Sequence, residues 1–329
     1  MARDLDAVRT ALRAYLAGGE RIEAVLPLSY GLSNGTYRLE GADRILRMPP
    51  AEDGLLPPYD MARQHAVYRA VAATPGAPPV PRVFELCEDE SVAGAPFFVM
   101  ERLPGESFDR HNLPPWLSND PAACGALCQA WVDAMAQVHR MPVATLGGPI
   151  RTSAGEAASW LAMAAGVQAD ALILDILDEF RAHPPPDTGP PTPVHGDPNL
   201  TNLLWDRTRV VALLDWELCG VGEPMSDVGF LLTSFRDEGE PSDWGFDAPG
   251  WWTKPRVAEH WAKQTGRSGR DWRRHELLAM ARLATILSMG RALYRDGRKS
   301  DPRIGEWEDK VPRYLERLAR RRSRVWLDD

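Results

Sequence analysis

The residues best suited to chemistry lie between Val194 and Leu232, in VHGDPNLTNLLWD and then VVALLDWELCGVGEPMSDVGFLL. Four residues separate Asp197 from Asn202, and a short strand-like segment leads on to Asp215. This spacing provides one carboxylate that can orient a nucleophile, with an amide and a second carboxylate whose oxygens suit Mg²⁺. Phosphoryl transfer requires little more, because its catalysis is mostly positioning and charge neutralisation.

The composition is that of an ordinary globular protein. With 329 residues, 44% apolar and 26% charged, the chain can bury a sizeable core divided between two lobes. Its net charge of −8 argues against nucleic acid as the main partner. The N-terminal segment has the apolar spacing of a helix rather than a signal peptide, and no apolar run approaches membrane-spanning length. We therefore expect a cytoplasmic protein without nucleic-acid or membrane partners.

The predicted elements favour an α+β fold with two parts. Those of the first part are a helix near the N terminus, strands at 25–30, 36–40 and 44–48, a helix at 61–72, and two further strands. We expect them to form a small antiparallel-sheet lobe over residues 1–103, which ends at Pro104 and Gly105. Residues 104–329 are predicted to form a larger lobe, with helices near 121–140, 154–181, 276–294 and 304–324.

The whole pattern resembles the aminoglycoside-phosphotransferase-like family of small-molecule kinases. The resemblance depends first on HGDPNLTN, the apolar strand and DWE; GLSNGTYRL, ILRMPP and DWELCGVGEPMSD resemble the branch of kinase-like domains fused to acyl-CoA dehydrogenases. It implies a two-lobed protein-kinase-like fold. It also implies transfer of the γ-phosphate of ATP or GTP, with Mg²⁺, to a hydroxyl group of a small molecule.

The family's motif assigns roles to the residues of the central segment. Asp197 corresponds to the catalytic base, and Asn202 and Asp215 correspond to the metal ligands. Glu217 either reaches a second metal or forms a salt bridge. Asp227 corresponds to a structural residue that braces the catalytic loop, and capping of the helix that follows is the simplest physical account of it.

Two further segments resemble nucleotide-binding elements. Gly31 begins a loop of small residues that would face the phosphates, through Ser33, Asn34 and Gly35, although the residues alone equally fit any hairpin turn. The segment FVMERL resembles the hinge that binds adenine. There Met100 would close the back of the pocket, and the Glu101 carbonyl and Leu103 N–H would face the purine. The residues alone indicate only a buried strand.

Two positions depart from the family's pattern. Arg47 replaces the usual phosphate-binding lysine, which keeps the charge but changes the donor geometry. Gln64 replaces the glutamate that usually pairs with that cation, and a Gln–Arg hydrogen bond is weaker than a carboxylate pair. Either the phosphates are held more loosely, or one of three nearby acids substitutes: Glu52, Asp53 or Asp60. A protein that binds nucleotide or a metabolite without phosphotransfer is therefore the alternative hypothesis.

The acceptor is not identified by the sequence. The region where this family builds its acceptor pocket is rich in tryptophan and in acids, namely Trp244, Trp251, Trp252, Trp261, Trp272, Asp237, Glu238, Glu240, Asp243 and Asp247. Tryptophans at this density more often pack a core than contact a ligand. The acids suit a cationic acceptor or a solvated loop. The dehydrogenase-linked resemblance favours a hydroxyacyl-type or other bulky apolar acceptor, and an antibiotic is also compatible.

Overall fold

The first part of the protein is an antiparallel sheet with helices on its faces. The computed structural model describes residues 3–16, 21–28, 34–109, 112–237, 246 and 248–325. The elements of this part are α1 (Leu5–Tyr15), β1 (Ala24–Pro27), β2 (Gly35–Glu40), β3 (Arg44–Met48), α2 (Met61–Ala72), β4 (Val83–Cys87), α3 (Glu90–Ala93) and β5 (Phe97–Glu101). Within the described ranges the sheet has five strands in the order β1-β2-β3-β5-β4.

Local sequence explains how the helices of this part begin and what they cover. Asp4 caps α1, where its side chain accepts hydrogen bonds from two backbone N–H groups, and Asp60 caps α2 by accepting one hydrogen bond from the Arg63 N–H. Val8 and Leu12 on α1 are buried in a cluster with apolar side chains of the sheet. α2 packs against β4 and β5. The neighbouring strands β3 and β5 place Arg47 opposite Phe98.

A short link connects this sheet to the second part. After β5 ends at Glu101, residues 102–105 lead to Glu106, which exchanges two backbone hydrogen bonds of 2.9 Å with Trp205. The boundary predicted at 103/104 falls in this link. Since Trp205 lies three residues after Asn202, the link joins the sheet directly to the region that carries the candidate site.

The second part is mostly helical. It contains α4 (Pro115–Ser118), α5 (Pro121–Arg140), β6 (Ile150–Arg151), α6 (Ser153–Gly166), α7 (Ala171–Ala182), β7 (Thr192–Val194), β8 (Leu203–Asp206), β9 (Arg209–Leu213), β10 (Gly220–Gly222), α8 (Met225–Leu232), α9 (Lys254–Thr265), α10 (Trp272–Arg295), α11 (Pro302–Gly305) and α12 (Trp307–Val325). Single turns of 3₁₀ helix occur at Val143–Thr145, Leu200–Asn202 and Trp216–Leu218. In the described residues, β8 pairs with β9, and β10 lies between β6 and β7.

The helix predicted over residues 154–181 is wrong, because the structure has two helices there. α6 ends at Gly166, and Gln168 then adopts a left-handed backbone conformation with φ 51°. Asp170 caps α7 by accepting a hydrogen bond of 3.0 Å from the Leu172 N–H. The two helices pack against each other. The last predicted helix is likewise divided, into α11 and α12.

The tryptophan-rich region packs the core of the second part. Trp252, Trp261 and Trp272 are 5%, 0% and 5% exposed and belong to the main hydrophobic cluster. This supports core packing for these three side chains. Trp244, Glu238, Glu240, Asp243 and Asp247 lie outside the described residues.

One helix is longer and more apolar than the sequence led us to expect, since we expected no apolar run to approach membrane-spanning length. Within the described ranges, α10 is long and apolar enough to cross a membrane by length and composition alone. However, 56% of its most apolar stretch is buried inside the protein, and the helix packs against α8 and α12. More than half of this apolar stretch is therefore used within the fold.

Candidate active site

A glycine allows the loop between β7 and β8 to approach the segment after β9. Gly196 has φ 86°, a region that side chains with a Cβ rarely adopt, and a Cβ there would lie 2.5 Å from the Leu218 carbonyl oxygen. The same loop carries Asp197 and Asn202, and the segment that it approaches carries Asp215. Gly196 therefore helps to bring the three predicted catalytic and metal-binding residues to one place.

The Asp227 side chain holds this loop by hydrogen bonds to its backbone. Its buried carboxylate accepts hydrogen bonds from the N–H groups of His195 (2.6 Å) and Gly196 (2.8 Å), and it lies 3.1 Å from His139 Nε2. Trp261 donates to His139 Nδ1 at 2.8 Å, so His139 Nε2 is left to donate to Asp227. Burial opposes ionisation, but the hydrogen bonds from His139 and the loop hold the pKa of Asp227 below its usual value.

The role of Asp227 differs from the cap that we predicted. The cap position of α8 is Pro224, and no side-chain hydrogen bond caps that helix. Asp227 lies within the first turn, and its carboxylate points to the loop instead. The bracing role that the resemblance implied is the one that the contacts support.

His195 supports the loop from within. Its Nε2 lies 2.8 Å from the Leu214 carbonyl, and its Nδ1 accepts a hydrogen bond of 3.2 Å from the Asp197 N–H. This arrangement requires the neutral imidazole, in agreement with a pKa that burial lowers. Both ring nitrogens are thus engaged, and His195 positions the backbone of Asp197.

The Asp197 carboxylate is fixed by two amides. Its Oδ1 accepts from Asn199 Nδ2 at 2.6 Å, and its Oδ2 accepts from Asn202 Nδ2 at 2.8 Å. Burial, and next the charge of Asp215, raise the pKa of Asp197 to about 7. A carboxylate with this pKa is suited to accept a proton near neutral pH. Because the amide nitrogen of Asn202 faces Asp197, its oxygen is the atom left for a metal.

Asp215 adopts an unusual backbone conformation next to this carboxylate. It follows β9 by two residues and has φ 62° and ψ 61°, the left-handed region that non-glycine residues rarely occupy. Its N–H donates a 3.0 Å hydrogen bond to the hydroxyl of Tyr68, which is 1% exposed on α2. Tyr68 was not among the predicted site residues. The only local signal was an aromatic residue one helical turn after Gln64.

Arg47 crosses from the sheet to the metal-binding segment. One guanidinium nitrogen donates to Thr36 Oγ1 at 3.0 Å, and another forms a short ion pair with Asp215. Burial disfavours the charge, but the carboxylate of Asp215 outweighs it, and the pKa of Arg47 is raised. The cation expected at the phosphates therefore lies at the candidate metal site.

Gln64 lies on α2. Three acids were proposed to replace the usual glutamate as the partner of Arg47, and none of them contacts Arg47. Glu52 accepts hydrogen bonds from Ser300, Asp53 pairs with Arg298 at 2.6 Å, and Asp60 caps α2. That part of the hypothesis is wrong, because the loop after β3 runs to the C-terminal helices. There Leu55 packs with Ile304 and Trp307. The carboxylate that pairs with Arg47 is Asp215.

The predicted phosphate loop meets the metal-binding segment at Asn34. Its side-chain amide donates a short hydrogen bond to Glu217, and Asn34 is buried. Gly35 begins β2, next to Asn34. Ser33 lies outside the described residues. Glu217 is therefore close to the phosphate loop.

The predicted hinge residues lie at the end of β5. Met100 is buried opposite Ile45 of β3. The Glu101 N–H donates to the Arg82 carbonyl at 2.8 Å, but the Arg82 N–H returns its bond to the Glu101 side chain at 3.2 Å. The Glu101 carbonyl therefore accepts no hydrogen bond from the Arg82 N–H. A contact with the purine would require this carbonyl to be available. Leu103 is half-buried in the link that follows.

The oxygen donors of this site fit Mg²⁺. Asn202, Asp215 and Glu217 offer one amide and two carboxylates, and among the described residues no group of three or more His, Cys, Asp or Glu side chains forms a cage for a metal. Mg²⁺ is commonly held by one or two carboxylates together with substrate phosphates and water. The donor set therefore suits an ion that arrives with a nucleotide.

Solved structures share this fold over almost the whole chain. A protein from Ralstonia eutropha assigned as an aminoglycoside phosphotransferase superposes with a TM-score of 0.77 at 24% identity, covering 98% of this chain and 99% of that one. The GDP and kanamycin complex of APH(2″)-IIIa superposes with a TM-score of 0.61 at 16% identity, covering 96% and 98%. The predicted α+β, two-lobed kinase-like fold is confirmed.

Curated relatives confirm the branch that the sequence resembled. Mouse acyl-CoA dehydrogenase family member 10 is 28% identical over 236 residues, which cover 65% of this chain and 22% of that protein. The chain thus spans less than a third of the length of the curated relatives that it matches. The sequence profile of the phosphotransferase enzyme family (APH) matches residues 24–278, most of the chain. The chain belongs to the phosphotransferase enzyme family.

Proposed function

We propose that this protein transfers the γ-phosphate of ATP or GTP, with Mg²⁺, to a hydroxyl group of a small molecule. One observation carries the proposal. The Asp197 carboxylate is held by two amides beside Asp215, while Arg47 reaches the same point from the sheet. Base, metal ligands and phosphate-binding cation thus converge between the two predicted lobes, residues 1–103 and 104–329.

In the proposed reaction Asp197 orients the acceptor hydroxyl and takes its proton. The hydroxyl oxygen forms a bond to the γ-phosphorus, the bond from that phosphorus to the bridging oxygen breaks, and the nucleoside diphosphate leaves. The amides of Asn199 and Asn202 keep the carboxylate in one orientation, which matters because positioning supplies most of the catalysis.

The remaining residues bind the nucleotide. Arg47, Asn34 and Gly35, with Ser33, would hold the phosphates, and Met100, Glu101 and Leu103 would hold the purine. Mg²⁺ bound by Asn202 and Asp215, with Glu217 near, would neutralise phosphate charge. Because Asp215 is paired with Arg47 in this structure, Arg47 must turn from that carboxylate toward the phosphates when nucleotide binds.

For the acceptor we propose a hydroxyl compound with an acyl chain or another bulky apolar part. The mouse relative is named an acyl-CoA dehydrogenase family member, and the chain matches about a fifth of that protein. An antibiotic is the competing acceptor class, since one structural neighbour was solved with kanamycin.

Asp197→Asn tests the proposed base. Asparagine keeps the shape of the side chain but cannot take the proton, and its one acceptor oxygen can keep only one of the two hydrogen bonds from Asn199 and Asn202. We expect Mg·ATP affinity to change by less than about threefold, while release of ADP or GDP with an accepted hydroxyl compound falls by about 10³-fold or more. Asp206→Asn, an exposed change at the end of β8, is the matched control.

Two results would contradict the proposal. Transfer by Asp197→Asn at near the wild-type rate would show that another group is the base. Mg-dependent nucleotide binding by the wild type without turnover, over a broad panel of hydroxyl compounds, would favour a nucleotide-binding protein without phosphotransfer.

A further inference from the structure

A cavity of about 460 Å³ lies beside the catalytic loop, bordered by α6 and α10. Its wall includes Gly196, which precedes Asp197, and Leu218, which follows Glu217. Small-molecule sites typically have volumes of roughly 300–1,000 Å³. By its size and its position next to the proposed base, the cavity suits the acceptor of the proposed reaction.

A buried arginine joins the wall of this cavity to the catalytic loop. Arg282 of α10 pairs with Glu156 at 2.8 Å and donates to the Gly196 carbonyl at 2.8 Å. It is 4% exposed, and its Nε has no hydrogen-bond partner among the described residues. Arg282 therefore ties α6 to the backbone of the residue before Asp197 and fixes this side of the cavity wall.

The acids in the wall are already bonded by the protein. Glu156 is the ion-pair partner of Arg282. The carboxylate of Glu223 is buried and accepts hydrogen bonds from the Thr188 N–H (2.9 Å), the Thr188 hydroxyl (2.6 Å) and the Met225 N–H (3.0 Å). Neither acid is therefore poised for the ammonium groups of a cationic acceptor.

Arg151 in the same wall is bound only to carbonyl groups. Its guanidinium donates to the Leu218 carbonyl at 3.0 Å and the Cys219 carbonyl at 2.9 Å, and no described carboxylate pairs with it. Gly220 makes room for this contact, since a Cβ there would lie 2.7 Å from the guanidinium carbon. No described acid therefore neutralises this guanidinium, and the N–H groups that do not bind the two carbonyls can donate to a ligand.

A second guanidinium lies beside the first. Arg63 at the start of α2 donates to the Glu217 carbonyl at 3.3 Å and to the Cys219 carbonyl at 2.7 Å. Because Arg63 and Arg151 share one carbonyl oxygen, their donating nitrogens are less than about 6 Å apart. Among the described residues, neither has an acidic partner. Two like charges held this close favour an anion next to them.

We propose that the acceptor carries an anionic oxygen group, which binds Arg151 at this cavity while its hydroxyl faces Asp197. The guanidinium fork suits a carboxylate or a phosphate, which it can bind with two hydrogen bonds. The acceptor is then an anionic hydroxyl compound and not a polycationic aminoglycoside. This inference rests on the proposed function for its reaction, in which the hydroxyl oxygen gains phosphorus and Asp197 gains the proton.

The test is direct binding, without nucleotide, of four probes with one chain length. They are ω-hydroxyhexanoate, ω-hydroxyhexyl phosphate, the primary amide of ω-hydroxyhexanoate, and aminohexanol. We expect calorimetry to give at least one anion about tenfold tighter binding than the amide, with the amine weakest. Whether the carboxylate or the phosphate binds better identifies the group. The advantage should disappear in Arg151→Gln and shrink in Arg63→Gln.

Control variants distinguish the effect of a positive charge at the cavity from the effect of the protein's charge in general. Arg181→Gln removes one exposed positive charge from α7 and should keep the preference. If Arg151→Gln fails to fold, as judged by circular dichroism, Arg63→Gln decides, because it leaves the cavity wall intact. Equal binding of anions and amide, tighter binding of aminohexanol, or a preference that survives both substitutions would overturn the proposal.

Product release is measured separately. If no probe yields ADP or GDP although the anions bind through Arg151, the anion site stands and phosphotransfer to these acceptors fails. If a hydroxyl compound is phosphorylated with no preference for an anionic group, the proposed function stands and the inference fails.

Discussion

Asp227 offers the sharpest test of how the catalytic loop is held. Replacing this buried carboxylate with asparagine conserves the shape of the side chain but not its charge. The carboxylate accepts from the His195 N–H at 2.6 Å, the Gly196 N–H at 2.8 Å and His139 Nε2 at 3.1 Å. Asparagine offers one acceptor oxygen, so its amide nitrogen must face at least one of these donors.

The expected cost follows from those contacts. In the less costly orientation the amide nitrogen faces Gly196, one hydrogen bond is lost, and the other two lose their charge. A bond to a charged group contributes about 1.5–3 kcal/mol, so we expect a loss on the order of 3 kcal/mol in the free energy of unfolding. This is a large part of the roughly 5–15 kcal/mol that stabilises a typical protein. A loop displaced by about 1 Å should also lower kcat about 100-fold.

The assay is urea unfolding followed by tryptophan fluorescence, together with the rate of ADP release. Asp206→Asn removes an equal charge from an exposed pair with Arg209 and should change neither quantity measurably. A loss of less than about 1 kcal/mol for Asp227→Asn, with turnover unchanged, would refute the reasoning that Asp227 holds the loop.

Two further predictions concern residues around this site and in the core. Tyr68→Phe removes the acceptor of the Asp215 N–H, so Mg·ATP affinity should fall about tenfold by calorimetry; unchanged affinity would mean that the hydroxyl does not position Asp215. Burial, and next the charge of Arg274, lower the pKa of His275 from 6.5 to about 3, so the unfolded chain binds the proton more tightly. The contribution of neutral His275 to the free energy of unfolding is fully present above about pH 6.5. We expect it to fall by about 1.4 kcal/mol for each pH unit below that value. His275→Met should flatten that slope in urea unfolding between pH 7 and 5, and an equally steep slope in the variant would contradict the prediction.

Local signals predicted the elements where strong caps and breakers coincide. α2 and α5 have the predicted bounds, because Asp60 and Asp120 cap them and each helix ends where its apolar spacing ends. The spacing from Asp197 through Asn202 to Asp215 predicted which residues would meet, since a turn and a short hairpin leave little freedom. The division between α6 and α7 was missed, because Gly166 and Gln168 interrupt an apolar pattern that continues on both sides.

Contacts between distant segments could not be predicted from the sequence. The pair between Arg47 and Asp215 joins residues 168 positions apart, and the bond from Asp215 to Tyr68 spans 147 positions. The acids proposed near Arg47 were wrong for the same reason, because Asp53 meets Arg298 at the far end of the chain. Such contacts depend on how the helices and strands pack against one another, and the local spacing of residues does not determine that packing.

The most direct test of the central claim is calorimetric titration of Mg·ATP, and of Mg·GTP, into the wild type and Asp215→Ala. We predict binding of at least one nucleotide to the wild type, strengthened by Mg²⁺, and loss of that strengthening in Asp215→Ala. Asp206→Ala, the exposed control, should bind as the wild type does. No binding of either nucleotide to the wild type, or Mg-dependent binding that survives Asp215→Ala, would contradict the account.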